Sequence, residues 1–400
     1  MAKEQIDIEN LESINIGMVG HVEHGKTTLL HRLTGKLTIA HSEELKRGMT
    51  IKLGYADFII YDKDGKLNIK EGTPKRYVSF VDNPGHEMLM ATMLSGAALI
   101  DAAILVIAAN EGIKPQTREH LTALHAKNVK QVIIVQNKID LVTKEQAVKN
   151  YKEIKEFVKG SVAEKAEIIP VSAQQNVNID KVIEAINKLQ IPGRDTESKP
   201  VFIVARSFDI NKPGTKIEKL KGGVLGGALK KGKLKVGDEI EIKPGIKKQK
   251  EHHIVYESVK TKILSLYKGS HSVKEASPGG SIGIETSLDP ILSRADTLTG
   301  CVASLTGELP EITNKVKIKF KLFDKVYGTK QDMPVANLKN AENLLLSINT
   351  SITVGLVTRV AKDEAELNLK IPVVSLKGET MGIGRNIEGH WRLIGWGELI

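Results

Sequence analysis

Short apolar runs alternate with helix-period stretches through the first 190 residues of this 400-residue chain. The runs are apolar on both faces, which is typical of strands in a parallel sheet that is covered on both sides. The predicted strands cover residues 14–20, 77–82, 102–109, 131–137 and 167–171. The predicted helices lie near residues 26–34, 86–99, 116–127, 144–159 and 178–189. This alternation predicts an α/β domain with a mostly parallel sheet and helices on both faces.

A different pattern begins after residue 200, where short alternating strands are separated by glycine. Residues 235–245 and 316–323 follow a period of two, and the second run places Lys317, Lys319 and Lys321 on one face. This half of the sequence contains no long helical pattern, so it is predicted to form compact β-barrels.

Two segments separate these units. Residues 191–200, IPGRDTESKP, contain two prolines and little apolar content, as a linker does. A second break is predicted near residues 292–300, LSRADTLTG. The predicted domains are residues 1–199, 200–298 and 299–400. Within the first domain, the Asp-Gly pair of YDKDGKL at residues 61–67 predicts an antiparallel hairpin at the sheet edge.

Cysteine usage and hydropathy indicate the compartment. Cys301 is the only cysteine, which excludes a disulfide framework and a multi-cysteine zinc site and fits a reducing cytosol. The N-terminus is polar and lacks the apolar core of a signal peptide. Residues 93–109 are apolar, but Asp101 interrupts them, and a helix end followed by a buried strand fits them better than a membrane span. We therefore expect a cytoplasmic protein without a membrane segment.

Positive charge is concentrated in the middle of the chain. Residues 201–300 hold 18 Lys and Arg against 11 Asp and Glu, so they carry +7 of the total net charge of +10. A local excess of this kind suggests a polyanionic partner such as RNA. On charge alone, a solvated lysine surface is an equal alternative.

A phosphate-binding loop is predicted at residues 20–27, GHVEHGKT, which match the pattern G-x-x-x-x-G-K-[ST] between a strand and a helix. Gly20 and Gly25 let the backbone curl so that successive N–H groups face the phosphates. Lys26 is predicted to reach the β- and γ-phosphate oxygens, and the Thr27 hydroxyl to bind Mg²⁺ at the helix N-terminus.

A D-x-x-G motif ends the next predicted strand, at residues 82–85. The Asp82 carboxylate can hold Mg²⁺ through water, and the Gly85 N–H can sense the γ-phosphate. Thr50, in the polar loop at residues 41–55, is the candidate residue that closes over Mg²⁺ and the γ-phosphate. Loss of that contact after hydrolysis would release the loop.

Two further motifs predict a guanine site. In NKID at residues 137–140, Asp140 can accept hydrogen bonds from N1–H and the 2-amino group of guanine, a pattern that adenine lacks. Asn137 is predicted to brace the loops, and the Lys138 stem to lie along the base. Ser172 and Ala173, after the last strand, would offer backbone N–H groups to the guanine oxygen. Motifs at the carboxyl ends of several strands match the binding-site rule for open α/β sheets.

Two histidines lie within the phosphate loop. His21 and His24 have a spacing that could suggest a metal pair. Their side chains are expected to diverge with the curled backbone, which favours packing or hydrogen-bonding roles.

These segments resemble the translational GTPases. GHVEHGKTTL, RGMTI, DNPGHE, ANEGIKPQTREH and GGVLGGALKKGKLKVGDEIEI are similar to elongation factor Tu. HSEELKRGMTIKLGYA, MLMATMLSGAALIDAAILVIAANE, RSFDINKPGT and the ending HWRLIGWGELI resemble more closely the gamma-subunit family of archaeal and eukaryotic translation initiation factor 2. The resemblance covers essentially the whole chain. It implies a P-loop GTPase domain followed by two all-β barrel domains.

The resemblance also implies a function and partners. A protein of this kind binds methionylated initiator tRNA in its GTP–Mg²⁺ form, delivers it to the small ribosomal subunit and is released after GTP is hydrolysed to GDP. Its expected partners are an alpha subunit on the second domain and a beta subunit on the GTPase domain. The alternatives are an elongation-type aminoacyl-tRNA carrier and the GTPase subunit of a sulphate-activating metabolic complex.

Site residues carried over from the resemblance fall into three groups. His86 orients the attacking water, while Val22 and Met49 form an apolar gate that keeps intrinsic hydrolysis slow. The nucleotide-binding residues are Glu23, His24, Gly25, Lys26, Thr27, Thr28, Gly85, Asn137, Lys138, Asp140, Ser172, Ala173 and Gln174. The residues assigned to Mg²⁺ are Thr27, Thr50 and Asp82, with Glu23 and Gly48 as further candidates.

Two departures from the family pattern change these expectations. The family usually has a four-cysteine zinc knuckle between the RGMTI loop and D-x-x-G, whereas this chain has YDKDGKLNIKEGTPKR, so no zinc is expected. The family loop commonly reads GHVDHGKT, whereas Glu23 stands here in place of the aspartate. The longer side chain could reach a magnesium ion differently.

Overall fold

The computed structural model describes residues 7–36, 53–84, 90–250, 253–326 and 333–400. These residues form an α/β domain followed by two closed β-barrels of six strands each, which confirms the predicted fold class. Among the described residues, no helix combines the length and apolarity needed to span a membrane.

The first domain contains a mixed seven-stranded sheet. Its strands are β1 (Ser13–Val19), β2 (Gly54–Lys63), β3 (Lys66–Asn68), β4 (Thr73–Asp82), β5 (Ala102–Ala108), β6 (Gln131–Asn137) and β7 (Ile168–Pro170). The order across the sheet is β3-β2-β4-β1-β5-β6-β7. Strands β4, β1, β5, β6 and β7 are parallel, and β2 and β3 form an antiparallel edge. The carboxyl ends of the parallel strands therefore meet at one edge of the sheet.

Helices cover both faces of this sheet. They are α1 (Lys26–Thr34), α2 (Met90–Ala97), α3 (Pro115–Ala126), α4 (Lys144–Phe157) and α5 (Ile179–Lys188). Strand β5 shows why both faces must be covered, because Leu105 and Ile107 pack with α2, α3 and α4, while Ile104 and Val106 pack with α1 and α5. The apolar segment at residues 93–109 is the end of α2 followed by β5, as predicted.

The predicted hairpin is present at the sheet edge. Strands β2 and β3 pair antiparallel up to Lys63 and Lys66. Asp64 and Gly65 between them have φ of 53° and 78°, and positive φ at both central residues is the tight-turn geometry that matches the twist of paired strands. The Asp62 carboxylate accepts a hydrogen bond of 2.9 Å from the Gly65 N–H.

The second domain is a barrel closed by long antiparallel strands. Its strands are β8 (Val201–Phe208), β9 (Val224–Lys231), β10 (Leu234–Lys235), β11 (Glu239–Lys250), β12 (His253–Lys268), β13 (His271–Val273), β14 (Glu275–Ala276), β15 (Ile282–Thr286) and β16 (Val302–Leu305). The ring runs β11-β16-β8-β9-β15-β12 and closes by pairing of β11 with β12. A short helix, α6 (Pro290–Ser293), precedes β16.

Strand β16 moves the end of this barrel beyond the predicted boundary at residue 298. It pairs with β8 and β11, so the ring is incomplete without it. The sequence placed a break before this strand because its pairing partners lie about a hundred and about sixty residues earlier, where no local pattern can identify them.

The third domain is a closed barrel with the strand order β17-β22-β21-β20-β23-β24. Its strands are β17 (Ile312–Leu322), β18 (Lys325–Val326), β19 (Met333–Pro334), β20 (Asn343–Ile348), β21 (Ser351–Ala361), β22 (Glu364–Val374), β23 (Thr380–Ile387) and β24 (His390–Leu399). On β17, Val316 and Ile318 are buried while Lys317, Lys319 and Lys321 are exposed, as the alternating pattern predicted.

The linker at residues 191–200 contains no helix or strand, yet it is tied to the first domain. The Arg194 guanidinium donates two hydrogen bonds, of 2.9 and 2.7 Å, to the Asp101 carboxylate and one of 3.0 Å to the Ser13 carbonyl. Asp101 also accepts the Asn15 N–H at 2.9 Å. This bidentate pair fixes where the chain leaves the sheet toward the second domain.

Replacing Arg194 with alanine should therefore destabilise the protein. Because the pair is mostly buried and bidentate, Arg194→Ala is expected to cost about 2 kcal/mol of unfolding free energy, measured by urea denaturation. Lys188→Ala is the matched control, because the Lys188 side chain is exposed and lies 3.8 Å from Glu167. Its cost should stay within about 0.5 kcal/mol. Equal small losses in both variants would show that Arg194 does not anchor the linker.

Candidate functional site

The phosphate loop connects β1 to α1 along a path that only glycine permits at two positions. Gly20 has φ of 132°, and a Cβ there would lie 2.3 Å from the Val106 carbonyl oxygen on β5. Gly25, at the N-terminus of α1, has φ of 88°, and a Cβ there would lie 2.3 Å from Asn137 Nδ2. Both contacts are far too short for a side chain, so the loop lies directly against its neighbours.

Lys26 lies at the centre of this loop. Its Nζ donates hydrogen bonds of 2.8 Å to the carbonyl oxygens of both Gly20 and His21. The side chain is buried, and burial lowers the Lys26 pKa to about 8 although the nearby Asp82 acts to raise it. The loop thus holds a cation in a low-dielectric cradle, where a phosphate oxygen would be a strong additional acceptor.

Thr27 and Asp82 are brought together from different motifs. The Thr27 hydroxyl donates a hydrogen bond of 3.0 Å to Asp82 Oδ2, and Asp82 is completely buried at the end of β4. Two hard oxygen donors beside a phosphate loop are a set that fits Mg²⁺, which prefers carboxylate, hydroxyl and phosphate oxygens. Among the described residues, there is no group of three or more His, Cys, Asp or Glu side chains suited to a metal ion.

Asn137 joins three loops at the end of β6. Its Nδ2 donates to the His24 carbonyl at 2.9 Å, and its Oδ1 accepts the Ala173 N–H at 3.0 Å. Its own carbonyl accepts the Ala109 N–H at 2.7 Å. The Ala173 N–H is directed to Asn137 in this structure, so a guanine oxygen would have to compete with Asn137 for it.

Of the remaining base-loop residues, Lys138 is held by a charged neighbour. Lys138, in a left-handed conformation with φ of 61°, donates to Glu111 Oε1 at 3.1 Å. Burial acts to raise the Glu111 pKa, but the hydrogen bond from Lys138 and nearby positive charges lower it overall. Asp140 is exposed on the short turn at Ile139–Leu141. Glu111 was not found from the sequence, because it lies 27 residues from Lys138.

Arg32 on α1 holds the Ser172–Gln174 loop through hydrogen bonds to its backbone. Its guanidinium donates hydrogen bonds of 3.0 Å to the carbonyl oxygens of Ala173 and Gln174. The Ser172 hydroxyl accepts the Gln175 N–H at 3.1 Å, which turns the chain toward α5. The helix that starts at the phosphate loop thereby also positions the loop that follows the last strand.

Three histidines lie in or directly against the phosphate loop, and burial lowers the pKa of each imidazole. The rings of His21 and His24 meet edge to face with centroids 5.0 Å apart, so the expected divergence of these side chains was wrong, although the packing role agrees. His24 lies 3.2 Å from the Val106 carbonyl through Nδ1, and burial lowers its pKa to about 4. His120 on α3 accepts the Gly20 N–H through Nδ1 at 2.7 Å, and burial lowers its pKa to about 3.

His120 was missed by the sequence reasoning. It lies 100 residues from Gly20, within the run TREH, and no spacing rule connects it to the phosphate loop. The acceptor role requires an unprotonated Nδ1, so the imidazole must be neutral to hold the loop.

The other predicted site residues lie outside the described residues or at the rim of the site. Gly48, Met49, Thr50, Gly85 and His86 lie outside the described residues. Val22 is half-buried, and its N–H lies 3.4 Å from Gln116 Oε1 on α3. The other predicted residues that are exposed at the rim of the site are Glu23, Thr28 and Gln174.

A second candidate site, which no sequence pattern indicated, lies between the first domain and the second domain. The cavity has a volume of about 420 Å³ and is lined by Tyr55 and Tyr77 from the sheet and by Arg206 and Phe208 from β8, among others. Both tyrosine hydroxyls are buried without a hydrogen-bond partner among the described residues. Burial raises the pKa of both phenols. Arg206 is fixed by Asp296, at 2.8 Å.

Comparison with known proteins identifies the family. Residues 11–191 match the elongation factor Tu GTP binding domain, and residues 314–399 match the C-terminal domain of initiation factor eIF2 gamma. The gamma subunit of translation initiation factor 2 from Pyrococcus furiosus is 52% identical over 396 residues, which are 96% of each chain. The one from Methanocaldococcus jannaschii is 51% identical over 398 residues, 96% of this chain and 97% of that protein.

The chain belongs to the gamma-subunit family of translation initiation factor 2. The elongation factor Tu match spans the sheet and all the nucleotide motifs, so this member of the family is a translational GTPase. The predicted activity is thereby confirmed.

Solved structures of elongation factors share the three-domain arrangement. A bacterial selenocysteine-specific elongation factor, EF-Sec, superimposes with a TM-score of 0.78 at 25% identity, covering 97% of this chain and 58% of that one. The elongation factor SelB from Methanococcus maripaludis, in complex with the GTP analogue GppNHp, gives a TM-score of 0.73 at 23% identity over 97% of this chain and 79% of that one. At this identity the second likeness concerns the fold alone.

The buried His120 predicts a loss of stability in mild acid. Its folded-state pKa lies below the ordinary value of 6.5, so the unfolded chain binds a proton that the folded chain excludes. Stability is therefore retained above about pH 6.5 and falls as the pH decreases toward the folded pKa of about 3. At pH 5 this single imidazole should cost about 2 kcal/mol of unfolding free energy.

His120→Gln tests this dependence, because glutamine can accept the Gly20 N–H without titrating. Urea denaturation at pH 7.5 and pH 5.0 should show a smaller decrease in the variant than in the original protein. The same decrease in both proteins would mean that His120 takes up its proton without loss of structure.

Proposed function

We propose that this GTPase is the tRNA-binding switch of translation initiation: with GTP and Mg²⁺ bound it carries methionylated initiator tRNA to the small ribosomal subunit. The GTPase is then released after GTP is hydrolysed to GDP and phosphate. The observation that carries this proposal is the cavity between the GTPase domain and the second domain, considered together with family membership over 96% of the chain. Its volume is within the range of cavities that hold small-molecule groups.

The chemistry of the cavity fits the aminoacylated end of a tRNA. Tyr55 and Phe208 provide aromatic faces on which a base can stack, as single-stranded RNA bases do in proteins. The hydroxyls of Tyr55 and Tyr77 lack a partner but are buried, so they can bond to ribose or ester oxygens only after the side chains move. Residues 201–300, which form most of the second domain beside this cavity, carry an excess of lysine and arginine, and this excess also favours the binding of a polyanion there.

The nucleotide site has a proposed role for each motif. The phosphate-loop N–H groups and Lys26 hold the phosphates, Thr27 and Asp82 provide oxygens for Mg²⁺, and Asp140 selects guanine. Mg²⁺, when bound, would neutralise charge on the β- and γ-phosphates. Asn137 and Glu111 keep the base loop in position.

The hydrolytic and switching roles are proposed from the family resemblance. His86 orients the attacking water, and Val22 with Met49 forms the apolar gate. Thr50 and Gly85 respond to the γ-phosphate. Unassisted hydrolysis should be slow, on the order of 10⁻³ s⁻¹ or less, as in GTPases that lack an activator.

The proposed partners are those of a heterotrimeric factor. An alpha subunit would bind the second domain, and a beta subunit the GTPase domain. The named relatives are gamma subunits, which supports an assembly with other subunits. A second candidate function, the carrying of elongator aminoacyl-tRNAs, is supported by the similarity to elongation factors. The match of residues 314–399 to the initiation-factor C-terminal domain favours the first.

Initiator-tRNA binding tests the proposal. The full chain, alone and with its alpha and beta subunits, should retain methionylated initiator tRNA on filters with a GTP analogue and much less with GDP. Elongator methionyl-tRNA should bind more weakly. Equal binding of both tRNAs would favour the elongation carrier, and no binding of either would favour a metabolic GTPase.

Tyr55→Phe tests the cavity within the same assay. Loss of one hydrogen bond should weaken aminoacyl-tRNA binding by about threefold to tenfold, while GTP affinity stays unchanged. Tyr151→Phe is the matched control, because Tyr151 is half-buried on α4 outside the cavity. If Tyr55→Phe binds the tRNA as tightly as the control does, the cavity is not the site.

Asp140→Asn tests the base assignment. An amide offers one acceptor and introduces donors opposite the N1–H and 2-amino group, so GTP affinity should fall by at least about 100-fold and the preference for GTP over ATP should shrink. Asp180→Asn, in the exposed first turn of α5, is the control and should change neither value. Nucleotide affinities are measured by fluorescence competition. An unchanged GTP-to-ATP ratio in Asp140→Asn would contradict the assignment.

A further inference from the structure

Helix α3 is anchored to the third domain by buried polar contacts. Arg392 on β24 donates to Glu119 Oε1 at 2.7 Å, and the two side chains are only 10% and 2% exposed. At the end of the helix, Lys127 donates to the carbonyl oxygens of Ser347 and Thr380 at 2.8 and 3.3 Å. The helix therefore carries one anchor near its middle and another at its C-terminus, and both lead to the same barrel.

The residue next to Glu119 reaches the nucleotide loop. His120 accepts the Gly20 N–H at 2.7 Å from a position that is 2% exposed. Consecutive helical residues point about 100° apart. Glu119 therefore faces the third domain, whereas His120 faces the phosphate loop. Helix α3 lies between the third domain and that loop.

The contacts demand a defined position of the helix. An ion pair as buried as Glu119–Arg392 adds little stability over apolar packing, because desolvation offsets the attraction, but it tolerates little displacement. The hydrogen bond from Gly20 to His120 has the same property. A displacement of about 1 Å directed away from either partner would lengthen that bond beyond hydrogen-bonding distance.

We propose that Arg392, in the third domain, is a positioning residue for nucleotide binding: through Glu119 it fixes α3 so that His120 holds the first glycine of the phosphate loop. Loss of Arg392 allows α3 to shift, Gly20 loses its acceptor, and the loop releases nucleotide faster. The third domain thus sets how long the GTPase domain retains GDP or GTP. This role depends only on nucleotide binding, and it stands or falls independently of tRNA binding.

The test measures dissociation of fluorescently labelled GDP from the full chain by stopped flow. Arg392→Met should increase the dissociation rate by about fivefold or more, the equivalent of one lost backbone hydrogen bond. His120→Ala should increase the rate by a similar factor. In the His120→Ala background, Arg392→Met should add almost nothing, because the two residues act through the same contact.

Arg385→Met is the matched control. Arg385 is also in the third domain and forms a partly buried ion pair with Glu342 on the same barrel. Its loss should weaken the barrel without changing the GDP dissociation rate. An equal increase with Arg385→Met, no increase with Arg392→Met, or full additivity with His120→Ala would each overturn the proposal.

Folding is checked by thermal melting of every variant. If Arg392→Met fails to fold because the buried Glu119 carboxylate has lost this cation, the double variant Glu119→Gln with Arg392→Met removes both charges and takes its place. It should show the same increase in GDP dissociation and the same lack of additivity with His120→Ala. A double variant that releases GDP at the original rate would show that the ion pair is not needed to hold the loop.

Discussion

The amide of Asn137 is the contact on which the rest of the nucleotide site depends. It donates to the phosphate loop at His24, accepts from Ala173 in the loop after the last strand, and is almost fully buried. These loops leave different strands, so this side chain sets the distance between the phosphate end and the base end of the site. The absence of a Cβ at Gly25 is part of the same arrangement, because a side chain there would occupy the position of Asn137 Nδ2. A buried amide with its groups satisfied holds such loops tightly, and a half-satisfied one would be costly.

The organisation of the first domain followed from sequence because its signals are local. Strand and helix periods, the Asp-Gly hairpin and the phosphate-loop spacing each lie within a few residues, and β-sheet geometry then brings the strand ends to one edge. The end of the second domain did not follow, because β16 acquires its place only by pairing with β8 and β11. The same limit applies to His120, which meets Gly20 across 100 residues, and to Arg392, which meets Glu119 across 273.

Burial also decides what the histidines near the loop can do. A positive charge beside bound phosphates would be favourable, yet His24 and His120 have pKa values lowered to about 4 and 3 because the charged ring would lose its hydration. They act as neutral groups, and the Gly20 N–H is taken by His120. The positive charge is left to Lys26, whose pKa remains higher at about 8. The sequence analysis favoured packing or hydrogen bonding over a metal pair for His21 and His24, and the two rings do pack edge to face.

One apolar cluster contains residues of all three domains, which restricts how the switch can move. The cluster around Leu105 and Leu124 of the GTPase domain includes Ala205 of the second domain and Leu393 of the third. Helix α2, which follows D-x-x-G, also meets the third domain, through a hydrogen bond of 2.8 Å from Ser95 to the Thr350 carbonyl. Helix α2 and helix α3, whose His120 holds the phosphate loop, therefore both pack against the same barrel. Close-packed surfaces resist gradual deformation. A displacement at the γ-phosphate must therefore be absorbed within helices α2 and α3 or passed to the third domain as a discrete shift.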